Sequence, residues 1–291
     1  MRDEVLAELV ATRVHRPDAI AEAAARRRRP ASLLDDHGRL MMIAADHPAR
    51  GALRAGERAL AMAHRVDLLD RLVLALSRPG VNGVLGTPDV LEDLLLLGAL
   101  DDKVVVGSMN RGGLAGTAFE IDDRFTAYDA ASIAAAGFEG GKMLVRIDPE
   151  DPATAPTLQS CAHAVGELAG NRLMAMVEPF ISHRVDGRVR NELTADAMIR
   201  AMTVAAGLGR TSAHTWLKVP IVDEMERAMA ATTLPALILG GEVAADMDKA
   251  FASWSKALAL PTVQGLVIGR SLLYPPNDDV AGAVDAAVNL L

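Results

Sequence analysis

A closed (β/α)8 barrel with an extra N-terminal helix is the fold class this sequence predicts, and three observations predict it. Short apolar runs alternate with amphipathic stretches of helical length from residue 40 to the C-terminus. The chain has 291 residues, which suits one barrel of about 250 residues plus an extension. Of these residues 51% are hydrophobic but only 3% aromatic, so the core must be built from Ala, Val, Leu, Ile and Met, as barrel interiors usually are. One α/β domain over residues 1–291 follows, with residues 1–30 as a helical extension.

Taken in order, residues 4–29 read as a single helix. Val5, Leu6, Leu9, Val10 and Ala11 fall at helical spacing, and Pro30 stops the run. Arg26 to Arg29 close this helix and are expected to wrap around it as a solvated end favoured by the helix dipole. The apolar runs that follow are Leu40 to Ala45, Gly83 to Leu85, Val104 to Ser108, Lys142 to Ile147, Leu173 to Val177, Thr215 to Val219, Ala236 to Leu239 and Leu266 to Ile268. Helical stretches are expected over 56–77, 88–99, 128–136, 156–170, 194–208, 222–231, 247–259 and 278–291. Continuous apolar strands between amphipathic helices indicate a parallel sheet jacketed by helices. Eight such units fit a closed cylinder better than an open doubly wound sheet.

No G-x-G-x-x-G follows the first run and no G-x-x-x-x-G-K-[ST] occurs, so dinucleotide and P-loop readings lose their support. The longest irregular stretch, Asn110 to Thr126, contains Arg111-Gly112-Gly113-Leu114-Ala115-Gly116. A loop of that length after a barrel strand favours function, and it is the segment expected to close over a bound substrate.

The net charge of -8 argues against a nucleic-acid surface, since phosphate backbones want a basic face. Small anionic substrates stay possible through local basic groups. Cys161 is the only cysteine, which excludes an internal disulfide, makes a cysteine-based metal site improbable and fits a reducing cytoplasm. The start Met1-Arg2-Asp3-Glu4 does not resemble a signal peptide, and no apolar run reaches the roughly 18 residues of a membrane span. Paired helix faces make a homo-oligomer the expected state.

Chemistry concentrates where the strands end, because groups at the C-terminal ends of barrel strands converge on one site. The first run leads into Asp46-His47-Pro48-Ala49-Arg50-Gly51, and the fourth carries Lys142 with Arg146 beyond it. The fifth leads into Glu178-Pro179 and the sixth is Thr215-Trp216-Leu217-Lys218-Val219-Pro220. The seventh and eighth lead into Gly240-Gly241-Glu242 and Gly269-Arg270-Ser271. A lysine inside an apolar strand snorkels, pairs, or is kept for covalent chemistry. Two lysines that approach one another in a barrel repel, which favours a neutral amine able to attack a ketone. Glu178 can then shuttle protons, and Asp46 can take up a hydroxyl proton or hold the second lysine. Because Lys142 begins its run, it can equally sit low in the barrel against a buried carboxylate. Gly240, Gly241, Gly269 and Arg270 lie on the turns where barrels commonly bind phosphate. The histidines lack the spacing of a zinc site, so no metal is expected. No G-x-S-x-G elbow is present to support acyl transfer.

The Asp46 segment, Lys142, Glu178-Pro179 and Leu217-Lys218-Val219-Pro220 together resemble the class I (Schiff-base) aldolases of the DeoC/LacD group. That resemblance spans about residues 40–274. It implies that Lys218 is the Schiff-base lysine, Glu178 the proton shuttle, and Asp46 and Lys142 the supporting pair, with no metal or organic cofactor required. Ala45-Asp46-His47-Pro48-Ala49-Arg50-Gly51, Arg111-Gly112-Gly113-Leu114 and Phe119-Glu120-Ile121-Asp122-Asp123-Arg124 are similar to a bacterial deoxyribose-phosphate aldolase-like subgroup linked to inositol catabolism. The implied substrate is 2-deoxy-5-keto-gluconate 6-phosphate, cleaved to dihydroxyacetone phosphate and malonate semialdehyde, with a ketose bisphosphate or deoxyribose 5-phosphate as alternative substrates and a non-catalytic phosphosugar-binding barrel as the alternative role. Arg50, Arg111, Arg146 and Arg184 are then the arginines expected at the mouth to bind a carboxylate and a phosphate.

Overall fold

The computed structural model describes residues 3–243 and 246–291. Strand alternation decides its architecture. In β1 (Leu40–Ala44), Leu40, Met42 and Ala44 pack with Leu85, Val104, Val106, Met174, Met176, Leu237 and Val267 in one cluster. Met41 and Ile43 instead join the larger cluster made with the helices. Two cores on either side of one sheet are what a period-two pattern gives when both faces are buried.

The remaining strands are β2 (Gly83–Gly86), β3 (Val104–Ser108), β4 (Gly140–Ile147), β5 (Met174–Val185), β6 (Arg188–Asn191), β7 (Thr215–Val219), β8 (Ala236–Leu239) and β9 (Val263–Ile268). Eight of them pair in parallel around a closed ring, β1-β2-β3-β4-β5-β7-β8-β9 and back to β1. The fold is therefore a (β/α)8 barrel, as the sequence predicts. Its helices are α1 (Asp3–His15), α2 (Ala19–Arg26), α3 (Arg65–Ser77), α4 (Pro88–Leu96), α5 (Ala130–Ala135), α6 (Thr154–Gly170), α7 (Ala195–Ala206), α8 (Met225–Met229), α9 (Met247–Leu258), α10 (Arg270–Leu273) and α11 (Val280–Val288).

Several expectations are corrected. The N-terminal extension is two helices, not one over 4–29. α1 ends at His15, ahead of Pro17, which cannot donate to a helical turn and disfavours helix in the residue before it. The stretch 56–77 is α-helical only from Arg65, where the His64 ring accepts from the Asp67 N–H at 3.2 Å, and has a single 3-10 turn at Ala61–Ala63 before it. The fifth run does not stop at Val177. β5 continues to Val185 and turns back antiparallel into β6, forming a hairpin above the barrel.

The arginine run is a solvated helix end only in part: Arg26 is exposed in the last turn of α2 and Arg28 and Arg29 are exposed beyond it, but Arg27 is not. The chain leaves the helix after Arg26, and Arg27 is extended and buried. Its guanidinium donates to Lys103 O at 2.8 Å, to Gly137 O and to Glu139 at 2.8 Å. Arg28 pairs with Asp102 at 2.6 Å and Arg29 with Glu139 at 3.2 Å. Lys103 and Glu139 immediately precede β3 and β4, so these bonds tie the extension to the N-terminal end of the barrel. Leu33 and Leu34 pack against the interior cluster, which leaves the opposite end open for chemistry.

Candidate active site

The interior alternation that places Leu40, Met42 and Ala44 inside the barrel continues to Asp46. The same two-residue step takes Val104 and Val106 to Ser108, Met174 and Met176 to Glu178, and Trp216 to Lys218. Apolar side chains fill the lower layers and polar ones the top. In register, Ser108 pairs with Lys142, Lys142 with Met176, and Met176 with Trp216. Glu178 is therefore one inward-facing layer above Lys142 and level with Lys218. Lys142 is both of the things left open by its sequence: it starts low, and its amine rises into the site. Its Nζ lies 3.2 Å from Asp46 Oδ2 and forms a closer pair with Glu178 Oε2. The other oxygen, Glu178 Oε1, holds Lys218 Nζ at 3.0 Å. Glu178 thus bridges the two amines.

Asp46 is held from several sides. Arg111 pairs with Asp46 Oδ2 at 2.7 Å and donates to its backbone carbonyl at 2.7 Å, and the Ser108 hydroxyl donates to Oδ2 at 3.1 Å. All five of Asp46, Arg111, Lys142, Glu178 and Lys218 are buried. Burial alone would raise the pKa of Asp46, but Arg111, Lys142 and Lys218 hold it well below the usual carboxylate range. Glu178 likewise resists burial and is held at about 2 by Lys142 and Lys218. For Lys142 the balance goes the other way. Burial lowers it, assisted by Lys218 and Arg111 and opposed by Asp46 and Glu178, to about 8. His47, which the sequence left out of the site, is in it. Burial, opposed by Asp46 and reinforced by Arg270 and Lys218, lowers its pKa to about 3, so the ring is neutral near pH 7. Its Nδ1 has no hydrogen-bond partner among the described residues.

These groups open into a cavity of about 520 Å³ at the C-terminal end of the strands. Asp46, Lys142, Glu178, Lys218, Gly240, Gly241, Gly269, Arg270, Arg50, Arg111 and Arg146 all line it. Gly241 adopts a left-handed φ of 66°. At Gly269 a Cβ would sit 2.5 Å from Ala44 O and 3.0 Å from the His47 ring, so glycine lets this turn press against the site wall. Arg184, expected at the mouth, is not among the lining residues. It pairs with Asp151 at 2.8 Å and donates to Ala118 O at 2.8 Å.

The other expected arginines are present but not spare. Arg50 is buried, donates to Gly113 O at 2.8 Å and Asn110 O at 2.7 Å, and pairs with Asp123. Arg146 pairs with Glu120 at 2.9 Å, and Arg111 is committed to Asp46. Asp123 in turn accepts the Gly113 N–H at 2.9 Å, and Glu120 accepts the Gly116 N–H at 2.7 Å. The loop 110–126 is consequently an anchored wall, with Asn110, Ile121 and Asp123 buried, rather than a free flap. Sequence reasoning missed Ser108, His47 and the β5–β6 hairpin, whose Val189, Arg190 and Asn191 also line the cavity. Extending the two-residue alternation would have found Ser108. Nothing local marks the hairpin beyond Asp186-Gly187, a hairpin-turn dipeptide.

Comparison with known proteins places the chain in a family. The crystal structure of Cgl0159 from Corynebacterium glutamicum is 53% identical and superposes with a TM-score of 0.97, covering 100% of this chain and 97% of that one. An archaeal fructose 1,6-bisphosphate aldolase is 16% identical, with a TM-score of 0.65 over 93% of this chain and 98% of its own. The fructose-bisphosphate aldolase from Slackia heliotrinireducens is 15% identical, with a TM-score of 0.63 over 92% and 94%. At that identity the two aldolases share the barrel fold. No curated protein matches by sequence. The Cgl0159-like family model matches residues 38–288, and with that match and the Corynebacterium relative, this chain belongs to the Cgl0159-like family.

Proposed function

We propose that the protein is a class I aldolase, a carbon–carbon lyase that works through a lysine Schiff base. The observation that carries this reading is Glu178 bridging Lys142 and Lys218 in the top layer of the barrel. The barrel shared with Schiff-base-forming fructose-1,6-bisphosphate aldolase is consistent with it.

Lys218 is the nucleophile in this reading. It has one carboxylate partner, whereas Lys142 is held between two. A proton leaving Lys218 passes along Glu178 toward Lys142, whose amine pKa of about 8 lets it gain and lose protons near neutral pH. Glu178, held at about 2, conducts the proton rather than keeping it. The neutral Lys218 amine adds to the substrate ketone, and loss of water from the carbinolamine gives an iminium. A base then removes the proton from the hydroxyl two carbons away. The intervening carbon–carbon bond breaks, its electron pair entering the iminium to form an enamine, and the aldehyde leaves. Protonation and hydrolysis of the enamine return the ketone product and free Lys218.

The substrate in this reading is a phosphorylated keto sugar or keto sugar acid, specifically 2-deoxy-5-keto-gluconate 6-phosphate giving dihydroxyacetone phosphate and malonate semialdehyde. Its phosphate is assigned to the wall formed by Gly240, Gly241, Gly269 and Arg270. Arg270 supports this, because its Nε has no partner among the described residues.

Borohydride reduction in the presence of dihydroxyacetone phosphate tests the chemistry. A reduced three-carbon phosphate adduct on the peptide bearing Lys218 is expected. Modification at Lys142 would move the nucleophile, and no adduct at all would remove the aldolase reading.

A further inference from the structure

Among the described residues five arginines line the cavity, and they differ in what they already hold. Arg50, Arg111 and Arg146 are each ion-paired, with Asp123, Asp46 and Glu120. Their charge is spent on the protein's own carboxylates. Arg270 gives one nitrogen to Arg54 O at 3.2 Å and keeps Nε free, though Glu242 lies close enough to bias it. Arg190 has no acidic side-chain partner among the described residues. The nearest acid along the chain, Glu192, is turned to His183 at 3.1 Å and to the Thr194 hydroxyl at 3.1 Å.

The support beneath Arg190 is well defined. It sits in β6, opposite His183 of β5, and the neighbouring rung is tied by Ser182 Oγ donating to Asn191 Oδ1 at 2.9 Å. On the turn side of Arg190, the hairpin is fastened through Arg184, opposite Val189, to Asp151 and to Ala118 O. Arg190 is exposed and lines the cavity from a braced ribbon. An anion meeting it displaces water from the guanidinium but breaks no internal ion pair, unlike one meeting Arg50, Arg111 or Arg146. Around the barrel β5 and β9 are three strands apart, with β7 and β8 between them. Arg190 and Arg270 therefore reach the cavity from well-separated walls, with Lys218 on the intervening β7.

We propose that Arg190 forms a second anion subsite, which binds a carboxylate or phosphate on the aldehyde-side fragment while the Arg270 wall holds the phosphate of the ketone-side fragment. The kinetic arm of this inference rests on the aldolase reading; the binding arm does not. A substrate anionic at both ends would span the two walls, with its ketone at Lys218.

The test compares wild type with Arg190→Gln and Arg190→Lys in the condensation of dihydroxyacetone phosphate with three aldehydes: malonate semialdehyde, glyceraldehyde 3-phosphate and propanal. Arg190→Gln is expected to raise KM for an anionic aldehyde about tenfold or more. KM for propanal and for dihydroxyacetone phosphate should stay unchanged, and Arg190→Lys should recover part of the loss. A response confined to malonate semialdehyde assigns the subsite to carboxylate, and one confined to glyceraldehyde 3-phosphate assigns it to phosphate. An equal rise with propanal, or no rise with either anion, overturns the proposal. Calorimetric titration of malonate and of 3-phosphoglycerate reads the subsite without turnover. Wild type should bind at least one of them about tenfold more tightly than Arg190→Gln; equal affinity, or no binding by wild type, overturns the subsite. A missing borohydride adduct alongside Arg190-dependent binding would sink the aldolase reading alone.

Discussion

Lys142 is the residue whose environment makes the sharpest prediction. Buried and held between Asp46 and Glu178, it has a pKa of about 8 against an ordinary value of 10.5. If its neutral form receives the proton from Lys218, kcat/KM rises with pH through about 8 and then levels. Below that pH the ammonium has no room for another proton. Lys142→Gln should lose this limb of the profile along with most activity, and a variant keeping the same limb would show that another group titrates. Glu178→Gln removes the bridge while leaving the volume. Its kcat is expected to fall about a hundred- to ten-thousandfold, and a fall of less than about tenfold would mean that protons do not pass through this carboxylate.

At the scale of elements, the N-terminal extension is held by a pair that sequence distance hides. Arg27 and Glu139 are buried together at 2.8 Å, and Glu139 also accepts the Val105 N–H at 2.8 Å. Glu139→Ala leaves a guanidinium buried without its partner, and about 3–5 kcal/mol of stability should be lost. Arg28→Ala removes only exposed pairs, with Asp101 and Asp102, and should cost less than about 1 kcal/mol. Urea unfolding of both variants checks the contrast, and equal costs would contradict the burial argument. The β5–β6 hairpin carries a different lesson. Its strand continues the apolar period through Phe180 and Ile181, which are buried, so the pattern ran past the point where a barrel strand was expected to end.

For the whole molecule, closure depends on the seam between β1 and β9. Gly265 pairs with Leu40 there, beside the irregular register between β8 and β9. A Cβ at Gly265 would stand 2.0 Å from Leu40 O, a clash with backbone that no rotamer relieves. Gly265→Ala should therefore be strongly destabilising, by about 3 kcal/mol or more, with the melting temperature as readout. A neutral substitution would mean that the seam has slack. Among the described residues no helix is long and apolar enough to cross a membrane.

What the sequence determined by itself is what repeats locally. Apolar runs repeating between amphipathic stretches predicted the barrel, and their ends put Asp46, Glu178 and Lys218 at one end of it, because the C-terminal ends of parallel barrel strands all lie on the same face. Only the tertiary structure decided which charges are free. Arg27 with Glu139, Arg50 with Asp123, Arg111 with Asp46 and Arg146 with Glu120 join positions far apart in the chain. Whether an arginine serves the fold or faces a ligand depends on such pairings, and no local pattern encodes them. Hence Arg50, Arg111 and Arg146, which the sequence offers for binding, are bound to the protein itself, while Arg190, unremarked in the sequence, lines the cavity without an acid.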